Sequence, residues 1–211
     1  MDIGISRIHY PVTTLGPGKR IGIWLQGCSI HCTGCISRDT WQFNVNMTTI
    51  DELKKVLNLW LPKCDGITIS GGEPFDQGPA LSELLEFLHP YHKSILLYSG
   101  YTFDVLKNKK DIQEGNIDVL ISEPFDHKET QTKRLLGSDN QKVHFLTSLG
   151  KNEFEIYLSN PLEKKLDVQF TNDTVWMAGI PVNGMEGIVK ASAQNNVHIS
   201  HSQAVIKNNK E

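Results

Sequence analysis

Three cysteines in one short loop carry the most distinctive chemistry of this chain. Cys28, Cys32 and Cys35 have the spacing C-x3-C-x2-C and follow directly after an apolar segment. A tetrahedral structural zinc site needs four protein ligands, whereas a four-iron cluster held by three thiolates keeps one iron open to a small molecule. The spacing therefore favours a cluster with one iron free to react.

The composition is that of a single globular domain with a real core. The chain has 211 residues, of which 39% are hydrophobic and 21% charged, which is enough apolar material to bury. The formal charge of -3 and the scattered Lys and Arg residues give no electrostatic case for a nucleic acid or a membrane. We expect neither kind of partner.

The first residues lack the basic stretch and apolar run of a signal peptide, and no segment approaches about 20 apolar residues. The sequence therefore predicts a cytoplasmic protein. Thiols stay reduced in that compartment, so closely spaced cysteines are expected to be metal ligands rather than disulfides. Cys64 stands alone between Pro62 and Asp65, and we interpret it as a small half-buried residue.

Short apolar runs alternate with helical periods along the chain. We predict strands at 21–25, 67–70, 94–98, 119–121 and 143–146, and helices at 50–61, 81–88 and 103–109. Thr48 or Thr49 is expected to cap the first helix. Alternating strands and helices predict a parallel sheet with right-handed crossovers. Five strands are too few for a closed eight-unit barrel, so the expected fold is α/β, a partial and open β/α barrel.

The chain changes character past Gly150. Segments 166–170 and 174–178 alternate around Asn172-Asp173 and predict a β-hairpin, and a last helix is expected at about 184–194. We interpret residues 1–160 as the core and residues 161–211 as an appendage of the same domain.

Polar and glycine-rich loops follow four of the predicted strands. The cysteine loop follows the first strand, Gly-Gly-Glu-Pro at 71–74 follows the second, Ser99-Gly100 the third, and Ser-Glu-Pro-Phe at 122–125 the fourth. Because function in open α/β sheets gathers at the carboxyl ends of the strands, these loops are predicted to meet at one rim.

The cysteine loop followed by Gly-Gly-Glu-Pro resembles the radical S-adenosylmethionine superfamily. Within it, the finer matches are similar to the activating proteins of anaerobic ribonucleoside-triphosphate reductases. These matches are Trp-Leu-Gln-Gly-Cys at 24–28, Arg-Asp-Thr-Trp-Gln-Phe-Asn at 38–44, Tyr-Ser-Gly-Tyr-Thr at 98–102 and Gly-Ser-Asp-Asn-Gln at 137–141. The resemblance runs from about residue 5 to residue 158.

The resemblance implies a [4Fe-4S] cluster on Cys28, Cys32 and Cys35, with S-adenosyl-L-methionine chelated to the fourth iron. One electron would cleave the cofactor to a 5′-deoxyadenosyl radical, which abstracts hydrogen from a glycine of a partner enzyme. The implied partner is an anaerobic ribonucleotide reductase, a glycyl-radical enzyme, and an electron donor such as flavodoxin is also implied.

The resemblance also implies a set of cofactor-binding residues. Gly71 and Gly72 would let backbone carbonyls approach the ammonium group of the cofactor, and Glu73 would supply negative charge beside it. We expect Trp41 and Phe43 to pack over the cysteine loop or in the core. The full predicted set is Gly34, Ile36, Gly71, Gly72, Glu73, Pro74, Ser99, Gly100, Ser138, Asn140 and Gln141.

Two departures from the family pattern bear on the partner rather than on the cofactor. Segment 122–125 reads Ser-Glu-Pro-Phe where the activators usually have an Asp-Gly-Pro-Phe-like segment, and Leu136 stands where they have Arg before Gly-Ser. Recognition of the partner and of the electron donor could therefore differ from that of the activators.

Three alternatives stay open at this point. His31 could complete a Cys3His zinc site, although Gly-Gly-Glu-Pro would then have no explanation. The chain could be a radical enzyme that modifies a small molecule or peptide, resembling the deazaguanine-forming synthase of queuosine synthesis. It could also be a non-catalytic zinc or iron–sulfur module.

Overall fold

The computed structural model describes residues 1–170 and 175–179. The predicted hairpin turn around Asn172-Asp173 and the predicted helix at 184–194 lie outside the described residues. None of the helices within those residues is long and apolar enough to cross a membrane.

The described chain contains the following strands and helices. The strands are β1 (Asp2–Val12), β2 (Arg20–Leu25), β3 (Met47–Thr49), β4 (Gly66–Gly71), β5 (Ser94–Tyr98), β6 (Val119–Ser122), β7 (Lys142–Phe145), β8 (Leu166–Phe170) and β9 (Val175–Gly179). The helices are α1 (Ile50–Trp60), α2 (Gly78–Leu88), α3 (Phe103–Leu106), α4 (Lys110–Gln113) and α5 (Ser148–Ser159).

One open sheet of seven strands organises the molecule, in the order β3-β1-β2-β4-β5-β6-β7. The strands β2, β4, β5 and β6 are parallel to their neighbours in this series. The outer strands β3 and β7 leave the sheet unclosed. The predicted α/β class with an open parallel sheet is confirmed.

The prediction that the strand at 143–146 belongs to the parallel series is wrong, because β7 runs antiparallel to β6. No helix lies in the connection between these two strands. A parallel neighbour needs a crossover that returns the chain to the starting edge, usually through a helix, whereas an antiparallel neighbour needs only a reversal.

Side chains on the two faces of the central strands enter different cores. Ile95 and Leu97 of β5 pack in the larger core with α1 and α2, whereas Leu96 packs in a smaller core with Phe154 of α5. A strand buried on both faces reads as a continuous apolar run, which is why these strands were predictable from sequence. Helix α1 begins as expected, with the Thr49 side chain accepting the Glu52 N–H.

Cys64 is fully buried, with 1% of its surface exposed, so the half-buried interpretation underestimates its packing. Its thiol donates to the Leu61 carbonyl at the end of α1.

The predicted hairpin is present as β8 paired antiparallel with β9. Asp167 fastens it to the main sheet by accepting the N–H and hydroxyl groups of both Thr13 and Thr14 at 2.7 to 3.0 Å. The Trp176 ring stacks on His9 with 3.8 Å between ring centroids. The division into a core and an appendage at residue 160 stays a prediction.

Candidate functional site

A cavity of about 1140 Å³ lies at the carboxyl ends of the parallel strands. The loops that follow β2, β4, β5 and β6 all contribute to its wall, through Cys28, Gly72, Ser99 and Glu123 among others. The strand order explains the convergence, since β2, β4, β5 and β6 are consecutive neighbours and end at the same edge. The four predicted loops therefore meet at one cavity.

The cysteine loop turns sharply at three residues with positive φ: Gly27 at 96°, His31 at 52° and Gly34 at 79°. Its first part is fixed by backbone bonds from Gly27 N–H to the Thr40 carbonyl at 2.7 Å and from Cys28 N–H to the Trp41 carbonyl at 3.1 Å. The loop is thus held by the chain that follows it.

The donor set fits an iron–sulfur cluster. Cys28, Cys32 and Cys35 are free thiols that line the same cavity. Backbone N–H groups stabilise each sulfur: Ile30 and His31 act on Cys28, Phe125 acts on Cys32, and the Ser37 N–H donates to Cys35 Sγ at 3.3 Å. Amide donors of this kind stabilise thiolate charge and tune a bound cluster.

At two of the thiols, burial opposes the effect of these N–H groups on the pKa. Desolvation raises the pKa of Cys28 and of Cys32 above the ordinary range. The backbone N–H groups lower the pKa of each, and the nearby carboxylates Glu73 and Asp76 raise that of Cys28. Cys28 and Cys32 are therefore protonated at neutral pH until a metal displaces the protons.

Gly71 and Gly72 are required by contact between strand ends. A Cβ on Gly72 would lie 2.0 Å from the Gly27 carbonyl oxygen, and one on Gly71 would lie 2.4 Å from the Leu25 nitrogen. Gly71 also has φ of 102°, which favours glycine. These glycines let the end of β4 pack directly against the start of the cysteine loop, a reason that the sequence interpretation did not contain.

Glu73 is buried, with 1% of its surface exposed. One carboxylate oxygen accepts the Phe75 N–H at 3.1 Å and the Ser99 hydroxyl at 2.8 Å, and the other accepts the Gly100 N–H at 2.8 Å. Burial raises the pKa of Glu73 to about 7, despite these donors. The residue joins the end of β4 to the end of β5, which explains why Ser99 and Gly100 lie beside it.

The Gly-Ser-Asp-Asn-Gln segment holds the loop after β6. The buried Ser138 hydroxyl accepts the Asp126 N–H, and Asn140 donates to the Pro124 carbonyl. Gln141 donates to the Glu123 carbonyl and accepts the Gly137 N–H. Among the residues that the structure describes, buried Asn140 Oδ1 has no hydrogen-bond partner, so this segment retains one unused acceptor there.

Most of the predicted site residues line the cavity. Those that do are Cys28, Cys32, Gly34, Cys35, Ile36, Gly71, Gly72, Glu73, Ser99, Gly100 and Gln141. Pro74, Ser138 and Asn140 are not part of the wall, and they support it from behind. Direct contact of all these residues with a cofactor stays a prediction.

Trp41 and Phe43, which follow the cysteine loop in the chain, pack against it. Trp41 stacks on His31 with 4.5 Å between ring centroids, and a Cβ on Gly27 would meet the Phe43 ring at 2.7 Å. Within residues 1–170 and 175–179, no three His, Cys, Asp or Glu side chains are grouped closely enough to bind one metal ion, as a zinc site requires, whereas the thiolates of a four-iron cluster each bind a different iron. The exposed His31 ring, flat against Trp41, gives the Cys3His alternative no support.

The two departures from the family pattern have structural counterparts. Glu123 stands where the activators usually have Gly, and its φ of 83° lies in the region that favours glycine. Leu136 is 2% exposed and belongs to the smaller core. An arginine does line the cavity two residues earlier, at position 134. The Arg134 guanidinium lies over the Tyr157 ring, 5.1 Å from its centroid.

Several wall residues were not predicted from the sequence. Arg7 and Trp24 lie on β1 and β2, and Trp176 lies on the hairpin. Strand β1 was not predicted at all, so no residue on it could be assigned to the site. Asp76, which is not part of the wall, was also missed, although its position two residues after Gly-Gly-Glu-Pro gave a usable signal.

Comparison with known proteins identifies the family. A model of the 4Fe-4S single cluster domain matches residues 14–144. The anaerobic ribonucleoside-triphosphate reductase-activating protein of Salmonella typhi is 33% identical over 150 residues, which are 65% of this chain and 96% of that protein. The protein of the same name from enterobacteria phage T4 is 31% identical over 135 residues, 61% of this chain and 85% of that protein.

One solved structure, of QueE from Escherichia coli, is 20% identical with a TM-score of 0.42 and covers 48% of this chain and 54% of that chain; the family assignment does not depend on it. The resemblance inferred from the sequence motifs is confirmed by the matches to the activating proteins. The family model covers more than half of the chain, and the Salmonella protein is matched over nearly its whole length. The chain belongs to the 4Fe-4S single cluster domain family, together with the anaerobic ribonucleoside-triphosphate reductase-activating proteins.

Proposed function

We propose that this protein is a radical S-adenosylmethionine enzyme that installs a glycyl radical in an anaerobic ribonucleotide reductase. The observation that carries the proposal is the convergence of three free thiols and the Gly-Gly-Glu-Pro turn on one cavity. The names of the relatives that match along nearly their whole length support the choice of partner.

Cys28, Cys32 and Cys35 would hold the cluster. The cluster, when bound, supplies the electron that cleaves S-adenosylmethionine to the radical that takes hydrogen from the partner's glycine. The backbone N–H groups that act on each sulfur would help to hold the three thiols in position for the cluster.

Glu73 would face the ammonium group of the cofactor. It lines the cavity, and within the described residues no salt bridge reaches it. A carboxylate has lone pairs for about four donors, so the three bonds that Glu73 accepts leave room for one more. An arriving cation would lower its pKa and bind it in the ionised form.

The cavity is large enough to hold the cofactor. Pockets for one drug-sized ligand span roughly 300 to 1,000 Å³, and this cavity is about 1140 Å³. Trp41 stacks on His31 and Phe43 packs against Gly27, and such packing on the cysteine loop would help to keep water from a radical reaction. We further propose a cytoplasmic location, because all four cysteines are free thiols. A flavodoxin-type electron donor is proposed from the resemblance to the activating proteins alone.

The first test measures cofactor cleavage. The chain is reconstituted anaerobically with iron and sulfide, then given dithionite and S-adenosylmethionine, and 5′-deoxyadenosine is quantified. We expect product from the wild type and from Cys64→Ala, and none from Cys32→Ala, because Cys64 lies in the core away from the cavity. No product from a wild type that carries a full four-iron cluster would overturn the proposal.

The second test adds the partner. An anaerobic ribonucleotide reductase from the same organism is included, and its glycyl radical is measured by electron paramagnetic resonance. We expect one radical signal that needs both the activator and the cofactor. Cofactor cleavage without any radical on the reductase would leave the chemistry intact and reject this partner.

A further inference from the structure

A carboxylate outside the predicted site fastens the cysteine loop. Asp76 Oδ2 accepts the backbone N–H of Ser29 at 2.7 Å, and Asp76 Oδ1 accepts the Ser29 hydroxyl at 3.1 Å. Ser29 directly follows Cys28, so the attachment lies between the first and the second thiol. The loop is therefore held at a point where its own backbone bonds do not hold it.

Tyr101 completes a closed network on this attachment. Its hydroxyl donates to Asp76 Oδ1 at 2.7 Å and lies 3.1 Å from the Ser29 hydroxyl. Tyr101 follows Ser99 and Gly100 at the end of β5, so the network joins the ends of three strands. A Cβ on Gly100 would meet Ile30 at 2.6 Å, which shows that the next loop residue packs tightly there as well.

The turn that carries Asp76 is itself fixed to the sheet. Residues Pro74–Gln77 form a single 3-10 turn after Glu73. Gln77, the next residue, exchanges hydrogen bonds with the Gly4 backbone at 2.6 and 3.0 Å and donates to the Gln26 carbonyl at 2.9 Å. Asp76 therefore lies on a turn that is itself hydrogen-bonded to the sheet.

Asp76 also brings a negative charge to the cluster site. Asp76 is bonded to the residue next to a ligand, and within the described residues no Lys or Arg forms a salt bridge with it. The net charge and hydrogen bonds around an iron–sulfur cluster set its reduction potential, and added negative charge makes the cluster harder to reduce.

We propose that Asp76 is a positioning residue for the cluster, fixing the loop between Cys28 and Cys32 through Ser29 and lowering the reduction potential of the bound cluster by its charge. The proposal rests on the proposed function only for the presence of the cluster. Tyr101 assists by orienting the Asp76 carboxylate.

Two variants separate the hydrogen bonds that fix the cysteine loop from the effect of the Asp76 charge on the cluster. Asp76→Asn removes the charge and one acceptor at nearly constant size, whereas Tyr101→Phe keeps the charge and removes one donor to it. Asp51→Asn is the matched control, since the Asp51 side chain is 79% exposed on α1. The readouts are hydrogen exchange of peptides spanning 28–35 in the full chain, before and after cluster assembly, and a redox titration followed by electron paramagnetic resonance.

We expect exchange at 28–35 to rise about threefold or more in Asp76→Asn and in Tyr101→Phe, because both weaken the hydrogen bonds that fix the cysteine loop. At a fixed potential, Asp76→Asn should raise the ratio of reduced to oxidised cluster about tenfold, a shift of about 59 mV for one electron. Tyr101→Phe should stay within about twofold of the wild-type ratio, since the charge remains. Asp51→Asn should change neither readout.

Exchange and potential in Asp76→Asn that match those of Asp51→Asn would overturn the proposal. Faster exchange with an unchanged reduction potential would refute the proposed effect of the Asp76 charge on the cluster. It would support the role of Asp76 in fixing the cysteine loop. If the wild type assembles no cluster, the proposed function fails and the proposed effect of the Asp76 charge fails with it. The exchange of the cluster-free chain still decides whether Asp76 anchors the loop.

Discussion

At the scale of single residues, the site depends on groups whose environment changes their ordinary chemistry. Glu73 is the clearest case, because it is a carboxylic acid that is enclosed by protein and accepts three hydrogen bonds. Its pKa is about 7 in the folded protein against an ordinary value of 4.5. The folded chain therefore binds a proton that the unfolded chain releases between these two pH values.

This pKa shift predicts that the free energy of unfolding falls as pH rises from about 4.5 to about 7. The stabilisation is fully present below the unfolded value and is lost as pH rises through the folded value. Its size is about 3 kcal/mol over the whole interval. Urea unfolding of the wild type and of Glu73→Gln across this pH range measures the stabilisation. The difference between their free energies of unfolding reports on Glu73 alone, because both proteins contain the same histidines.

The control is Glu86→Gln, whose side chain is 55% exposed and should leave the wild-type pH profile unchanged. Parallel profiles for wild type and Glu73→Gln would contradict the prediction and mean that Glu73 ionises normally in the folded state.

Gly72 supports a second prediction at this scale. In Gly72→Ala the new methyl group would meet the Gly27 carbonyl oxygen at 2.0 Å, and neither backbone can move without shifting the cysteine loop. We expect a loss of roughly 3 kcal/mol in the free energy of unfolding and reduced iron incorporation. Thermal unfolding and iron analysis after reconstitution measure the two effects.

Gly78→Ala is the matched substitution, because a Cβ at Gly78 meets nothing within 4 Å and its φ of -43° suits a helix. It should stabilise the protein by about 0.5 to 1 kcal/mol. Equal effects of the two alanines would show that the contact between Gly72 and the cysteine loop is relaxed in solution.

At the scale of secondary structure elements, the strands were predicted best. The runs at 94–98 and 67–70 differ from β5 and β4 by no more than a residue at either end, because buried parallel strands need apolar residues on both faces. Strand β1 escaped prediction since its residues are mostly half-buried and mixed in type. Helix α5 was missed for a similar reason, as only Gly150 and Phe154 are buried in it.

Part of the site could also be predicted from the sequence. Local motifs identified the thiols and the glycine turn, because those residues are adjacent in the chain. The network of Asp76, Tyr101 and Ser29 joins positions 25 and 72 residues apart. Such contacts follow from strand order and the packing of loops, which one sequence does not specify.

Arg20 shows how one side chain can join several elements. It is fully buried on β2 and donates to the Thr68 hydroxyl, the Ile67 carbonyl, and both the hydroxyl and the carbonyl of Ser94. Burial lowers its pKa to about 10, so it is charged at neutral pH. The planar guanidinium connects β2, β4 and β5 at their amino ends.

We predict that Arg20→Lys lowers the free energy of unfolding by about 3 kcal/mol, because an ammonium group has three donors and leaves buried carbonyls unpaired. Denaturant unfolding measures this loss. Arg7→Lys, at a side chain that is 33% exposed and paired with Asp39, should lose less than about 1 kcal/mol. A similar loss in the two variants would mean that water enters the Arg20 site.

At the scale of the whole molecule, the chain adds structure to a smaller shared unit. The family model ends at residue 144, and the match to the Salmonella protein leaves about a third of this chain outside it. The β8–β9 hairpin lies in that extension, yet Leu166, Trp176 and Ala178 line the same cavity as the thiols. The extension therefore borders the site while lying outside the unit that supplies the ligands.

Asp167 is the link that makes this arrangement testable. It accepts four hydrogen bonds from Thr13 and Thr14, and these bonds join the hairpin to the segment between β1 and β2. Asp167→Ala removes all four, so we expect cleavage within 166–179 in limited proteolysis to become at least about threefold faster. Val168→Ala, at a side chain that is 44% exposed on the same strand, should leave the cleavage rate unchanged.

Iron content after reconstitution should stay at the wild-type level in Asp167→Ala, because, among the described residues, the hydrogen bonds that hold the cysteine loop all come from residues before 145. Iron analysis of the same samples decides between two roles for the hairpin. Faster proteolysis with full iron content means that the hairpin is a separable wall of the cavity, able to control what reaches the cluster without helping to build it. Iron loss that accompanies the faster proteolysis would contradict this view, since the cysteine loop would then depend on the extension for its fold.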